Sequence, residues 1–148
     1  MENSNKKNNL LILGGSSLLS FLWCKAIDKN YNIFLTQHLK DISHMGFECI
    51  LINSLSCESL VNTLKQYSIN YVVNTIGLTS VEECQADPKK AYYLNANLPG
   101  IIAKACFITD TKLIHISTDH FFNDEDRKHT EKDDVSLLNI YSKSKYEG

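Results

Sequence analysis

Tyr141 and Lys145 stand four residues apart in the run NIYSKSK at positions 139–145. That spacing sets both on one face of a helix, with Cβ atoms about 5–6 Å apart. A lysine ammonium beside a phenol favours the phenolate, which suits the phenol to proton transfer. By itself the pair also describes many solvated helix faces, where a lysine lays its stem along the surface. What precedes it sharpens the reading. The run KLIHI at 112–116 predicts a buried strand, and Ser117 and Thr118 follow directly. In an open α/β sheet, ligands bind at the carboxyl ends of the strands, where this puts a hydroxyl. Thr118, Tyr141 and Lys145 are therefore the candidate catalytic set.

Other elements must position that set. Leu10, Leu11, Ile12 and Leu13 form a short continuous apolar run, the pattern of a strand buried on both faces. Gly14, Gly15, Ser16 and Ser17 make a turn, and residues 18–28 carry apolar side chains at helical spacing. Strand, glycine turn and helix open a dinucleotide-binding unit. Further strands are predicted at 31–36, 48–52, 71–76 and 112–116, and a helix at 56–67 led by Ser56 as N-cap. Residues 81–107 read as helical, with Pro88 opening its second piece and Pro99 a kink or a tight packing point within it. Residues 119–136 read as a charged loop leading into the last helix. This alternation predicts an α/β fold, a Rossmann-like doubly wound parallel sheet.

The 148 residues suffice for one domain, here 1–148, and 43% hydrophobic with 22% charged is the balance of a globular protein. A net charge of −2 gives no basic excess, so neither nucleic acid nor an anionic membrane is an expected partner. Five cysteines without a C-x-x-C pair read as reduced core thiols of a cytoplasmic protein. His115 and His120 flank a strand end without the ligand spacing of a zinc site, so no metal is expected. The polar lead and four apolar residues at the start are too short for a signal peptide or a span. The sequence stops at Gly148, three residues after Lys145, inside a helix only just begun. The expectation is a fragment, or a truncated descendant, of a longer protein.

Several segments together resemble the extended short-chain dehydrogenase/reductase superfamily, and within it the dTDP-4-dehydrorhamnose reductase group of sugar-nucleotide reductases. They are LILGGSS at 11–17, YVVNTIGLTSV at 71–81, residues 91–97, LIHISTDHFF at 113–122 and NIYSKSK at 139–145. The resemblance implies a cofactor, NADPH or NADH, and a small nucleotide-sugar substrate, the product serving polysaccharide or glycan synthesis. It implies that Thr118 bonds the substrate oxygen, Tyr141 protonates it, and Lys145 holds the nicotinamide ribose. Gly14, Ser16, Ser17 and Leu18 match the turn at the pyrophosphate, and Asn53 a position near the adenine. Thr75 and Gly77 match the strand-end turn along the cofactor, and Asn95 an asparagine behind the site. The substrate-binding part of the family would lie beyond Gly148, so the sheet is expected to be truncated before it.

Departures matter as much. The family's Gly-x-x-Gly-x-x-Gly turn is Gly14, Ser17 and Ser20 here, which adds bulk where the backbone meets phosphate, although serine donates to phosphate too. Thr36, Gln37 and His38 offer neither an acid for a ribose diol nor an arginine for a 2′-phosphate, leaving NADH and NADPH open. Two alternatives stand beside the reductase: a non-catalytic Rossmann module or relic, and a sugar-nucleotide epimerase or dehydratase. A homodimer or a partner subunit is left open as well.

Overall fold

A computed structural model describes residues 7–37, 41–122 and 128–148. His38 and residues 124–127 of the charged loop lie outside the described residues. The chain forms two compact units: residues up to Thr75 with Ile101–Ile116, and Ile76–Gly100 with Ser117–Gly148.

The first unit is built on a parallel sheet of β1 (Asn8–Leu13), β2 (Tyr31–Gln37), β3 (Glu48–Leu51), β4 (Tyr71–Asn74) and β5 (Lys112–His115). Its strand order is β3-β2-β1-β4-β5. Strand β1 lies in the middle because it is apolar on both faces. Successive side chains alternate across a strand, so Leu10 and Ile12 share one face and Leu11 and Leu13 the other. The first pair clusters with Cys24 of α1 (Leu18–Ile27), and with Ile33, Leu35 and Val73. The second pair meets Leu60 and Leu64 of α2 (Cys57–Gln66), together with Ile102, Ala105 and Cys106 of α5 (Leu98–Ile108). Leu11, Ile12 and Leu13 are all 0% exposed, and each such burial contributes about 1.5–3 kcal/mol. The expected doubly wound α/β sheet is what the chain forms.

From β1 the chain builds outward through β2 and β3, then returns to place β4 on the other side of β1. The order reverses between β1 and β4, and their carboxyl ends mark the point where such sheets take ligands. Both strands lead into a predicted site segment: β1 into Gly14, and β4 into Thr75.

The second unit packs α3 (Val81–Ala86), α4 (Pro88–Tyr92) and α6 (Ile140–Glu147) around Cys84, Ala91 and Tyr141. Pro88 takes the first helical position of α4, capped by Asp87, whose carboxylate accepts from Lys90 N at 3.0 Å. Just before Pro99, the position expected to be a kink or a tight packing point, the helix carries a π-helical turn over Tyr93–Asn97. Pro99 has no N–H to offer the Asn95 carbonyl four residues back. The helix opens there, and Leu98 N donates to Tyr93 O five residues back.

All five cysteines are free thiols, and burial pushes Cys24 and Cys106 up to about 11. Among the described residues no helix is long and apolar enough to cross a membrane, and no cluster of metal-ligating side chains occurs.

Candidate functional site

In the first unit the site segment is the turn between β1 and α1. Gly14 has φ 89°, a conformation that side chains resist, and its N–H donates to Thr36 Oγ1 at 3.0 Å. Gly15 is constrained differently: a Cβ there would lie 2.7 Å from Thr36 O and 2.8 Å from Ile42 Cδ1. One glycine supplies the turn and the next lets β2 pass. Ser17 caps α1, its Oγ accepting from Ser20 N at 3.1 Å. The first turn of α1 holds no acidic residue of its own, so its N–H groups present a positive end. Beside it a cavity of about 470 Å³ is lined by Ser16, Ser17, Leu18, Phe21, Lys25 and Asp41, with Ile42 and Met45 behind.

At the end of β4, Thr75 Oγ1 donates to Leu13 O at 2.8 Å and lies 3.0 Å from Ser20 Oγ and 3.3 Å from Ser17 Oγ. The neighbouring Asn74 is buried, with its amide nitrogen 3.1 Å from Nδ1 of His115. Asn53 is exposed on the bend after β3.

In the second unit, α6 is fixed by a capping box. Asn139 Oδ1 accepts from Ser142 N at 2.8 Å, while Ser142 Oγ accepts from Asn139 N at 3.3 Å. The helix therefore starts at Ile140 and turns Tyr141, Ser144 and Lys145 inward. The Tyr141 ring packs among Cys84, Ala91, Leu78 and Val81, and the His120 ring meets it edge to face at 5.6 Å. Lys145 is only 8% exposed, and that burial holds its ammonium below the usual lysine range. Thr118, half-buried, accepts from His120 N at 3.2 Å, which ties the hydroxyl to the loop that carries His120.

Asn95, expected among the cofactor-binding residues, is held by side-chain hydrogen bonds of its own. It sits fully buried in the π turn, its Oδ1 accepting from Leu78 N at 2.8 Å. Its two amide protons go to Leu78 O at 2.9 Å and Ser144 Oγ at 3.0 Å. Ser144 passes its own proton to Tyr141 O at 3.0 Å. Asn95 thus clamps the segment after Gly77 to the helix that carries Tyr141 and Lys145. At the end of that helix Gly148 lies so close to the Asn95 carbonyl that no side chain would fit.

Residues 9–148 match the family described as RmlD substrate binding domain. The chain belongs to this family. It is 39% identical over 79 residues to a dTDP-4-dehydrorhamnose reductase of Mycolicibacterium smegmatis, an alignment covering 52% of this chain and 24% of that protein. It is 31% identical over 105 residues to a probable low-salt glycan biosynthesis reductase of Haloferax volcanii, covering 69% and 35% respectively. Among solved structures it is similar to a dTDP-4-dehydrorhamnose reductase from Bacillus anthracis in complex with NADP. There the TM-score is 0.79 at 22% identity, covering 95% of this chain and 47% of that one. The chain spans half or less of the length of these relatives.

Within this RmlD-family chain, each unit gathers its own part of the predicted set. Gly14, Ser16, Ser17, Leu18 and Thr75 come together in the first, with Asn53 apart on its bend. Thr118, Tyr141, Lys145, Gly77 and Asn95 belong to the second. Sequence reasoning put Gly15 and Ser20 in the turn without seeing their contacts, and missed the parts played by Thr36 and Ser144. Ser144 carried a usable signal, since a small hydroxyl residue beside Lys145 on a buried face must find a partner.

Proposed function

We propose that the chain serves in the NAD(P)H-dependent reduction of a keto group on a nucleotide-linked sugar, as the cofactor-binding part, 1–148, of a dTDP-4-dehydrorhamnose reductase-like enzyme. The observation that carries this reading is α6, whose capping box and Asn95 clamp hold Tyr141 and a buried Lys145 on one inward face. A lysine kept out of water beside a phenol is an arrangement for moving a proton.

The residues fit a dinucleotide. Gly14 and Gly15 shape a side-chain-free turn leading into the positive end of α1, and the adjoining cavity has room for a nucleoside. Gly14, Ser16, Ser17, Leu18 and Thr75 would hold the pyrophosphate side, Asn53 the adenine, and Gly77 and Lys145 the nicotinamide riboside. When bound, the reduced nicotinamide supplies hydride to the keto carbon. Tyr141 gives its phenolic proton to the oxygen that becomes the alcohol. Thr118 donates to the same oxygen and orients it. Lys145 stabilises the phenolate left on Tyr141, and α6 keeps the two in register.

The product would enter polysaccharide or glycan synthesis in the cytoplasm. The test is the loss of reduced-nicotinamide absorbance with dTDP-4-dehydrorhamnose, for the whole enzyme that contains this chain as parent and for its Tyr141→Phe variant. Turnover in the parent and its loss in the variant are expected. A variant that turns over as fast as the parent, or a folded parent that binds coenzyme without oxidising it, would sink the assignment.

A further inference from the structure

Ser17 and Ser20 stand where a Gly-x-x-Gly-x-x-Gly turn would have its second and third glycines, and they are not loose. Ser20 is 0% exposed, and its Oγ donates to Gly14 O at 2.9 Å. Thr75 Oγ1 donates to Leu13 O at 2.8 Å. Ser17 Oγ lies 2.7 Å from Ser20 Oγ and 3.3 Å from Thr75 Oγ1. Three hydroxyls carry three protons. Two are committed to the carbonyls of Leu13 and Gly14, the residues where β1 becomes the turn. The third, on Ser17, goes to Ser20 Oγ, while Ser17 Oγ itself accepts from Ser20 N at 3.1 Å.

We propose that Ser17, Ser20 and Thr75 form a hydroxyl lock that fixes the phosphate-binding turn by side-chain hydrogen bonds, in place of the close glycine packing that they displace. Ser20 and Thr75 are positioning residues. They pin both carbonyls at the switch point, and with them the turn that Ser17 N closes by donating to Gly14 O at 3.0 Å. Ser17 alone holds a proton not bound to a backbone carbonyl. It can rotate from Ser20 Oγ to a phosphate oxygen while both carbonyls stay satisfied. This part rests on the proposed cofactor. The lock itself does not.

The consequence runs against the family pattern. Restoring glycine at position 20 removes one buried hydroxyl and leaves another, Thr75, short of a neighbour. The Ser20→Gly variant is expected to bind NADPH and NADH roughly tenfold more weakly. Ser17→Gly keeps a competent N-cap residue and so keeps the fold, but binds both coenzymes more weakly through the lost proton.

The experiment is urea unfolding and coenzyme titration by fluorescence, on the full chain, for Ser20→Gly, Ser20→Ala, Thr75→Val, the Ser20→Ala/Thr75→Val double variant and Thr75→Ser. Thr75 Oγ1 also reaches the Gly14 carbonyl, at 3.3 Å, so Ser20 and Thr75 share that acceptor. The lock therefore predicts that the two single losses in the unfolding equilibrium constant are not multiplicative, deviating by roughly tenfold. It predicts that Thr75→Ser keeps the parent's affinity while the isosteric Thr75→Val loses it. Multiplicative unfolding effects would overturn the lock. So would coenzyme affinity that is unchanged or tighter in Ser20→Gly. A parent that binds neither coenzyme, with the unfolding coupling intact, would remove the cofactor assignment and the role of Ser17 while the lock stands.

Discussion

Asn95 Nδ2 donates to Ser144 Oγ at 3.0 Å, and through that bond a π-helical turn is tied to the helix of Tyr141 and Lys145. The same Asn95 amide brackets both the N–H and the C=O of Leu78. Asn95 and Ser144 are fully buried and Leu78 half-buried, and their polar atoms pair with one another, so Asn95 cannot leave without orphaning others.

Replacing Asn95 by leucine keeps the bulk and removes all three bonds. A buried group left unsatisfied costs about 1–3 kcal/mol, and here the Leu78 N–H is stranded while its C=O keeps only the weak Cys84 thiol at 3.5 Å. Asn95→Leu is expected to lose about 2–5 kcal/mol in urea unfolding. Ser144→Ala, which strands one amide proton only, is expected to lose about 1–2 kcal/mol. Equal stabilities for parent and Asn95→Leu would show that the clamp does not hold α6.

Tyr141→Phe separates chemistry from packing. The ring stays in its cluster with Cys84 and Ala91, so unfolding should change by less than about 1 kcal/mol. The lost phenol is the proposed proton donor, and general acid catalysis contributes about 10²–10⁴-fold. Turnover is expected to fall by at least that much, with coenzyme binding unchanged when titrated directly.

Much of this was legible in the sequence because it depends on local periodicity. The run at Leu10–Leu13 is apolar at every position since β1 is covered on both faces, and a continuous run says so. Asp87 and Pro88 announce a cap and a first helical residue. The π turn was not legible. Pro99 predicts that a carbonyl loses its donor, but whether the helix kinks or opens depends on what packs against Asn95. Nor was the role of Ser17 and Ser20. Read along the chain they look like lost glycines, and the third member of their network, Thr75, lies 58 residues from Ser17. Asn95 was expected behind the site by family resemblance alone, and its partners, Leu78 and Ser144, come from a loop and a helix whose meeting no spacing reveals.

Gly15→Ala tests the other support of the turn. A methyl group there would meet the Thr36 carbonyl and the Ile42 side chain. Backbone cannot yield as a flexible side chain can, so β2 or the turn must shift. Overpacking of this kind costs about 1–3 kcal/mol. The variant is expected to unfold at lower urea concentration and to bind coenzyme more weakly, both together. Unchanged binding in a destabilised variant would place the dinucleotide elsewhere.

Lys145 gives a pH dependence whose sign can be worked out. Burial holds its pKa below the ordinary lysine value in the folded state, whereas the unfolded chain keeps a value near ~10.4. Between those two values the unfolded chain binds more protons, so this residue makes stability rise with pH. Below the folded value both states carry the proton, and the cost of burying the charge is present in full. Cys24 and Cys106 act oppositely. Their folded values are raised to about 11, so above the unfolded thiol value of about 8.5 they make stability fall as pH rises. The two slopes overlap in the parent, and the difference between parent and Lys145→Met isolates the lysine. That variant keeps the stem and loses the charge. At neutral pH it is expected to be at least as stable as the parent while turning over far more slowly. Its advantage should shrink as the pH climbs toward ~10. Urea unfolding of both proteins across that range measures the difference directly, and a difference that grows with pH would show that burial does not penalise the charged form.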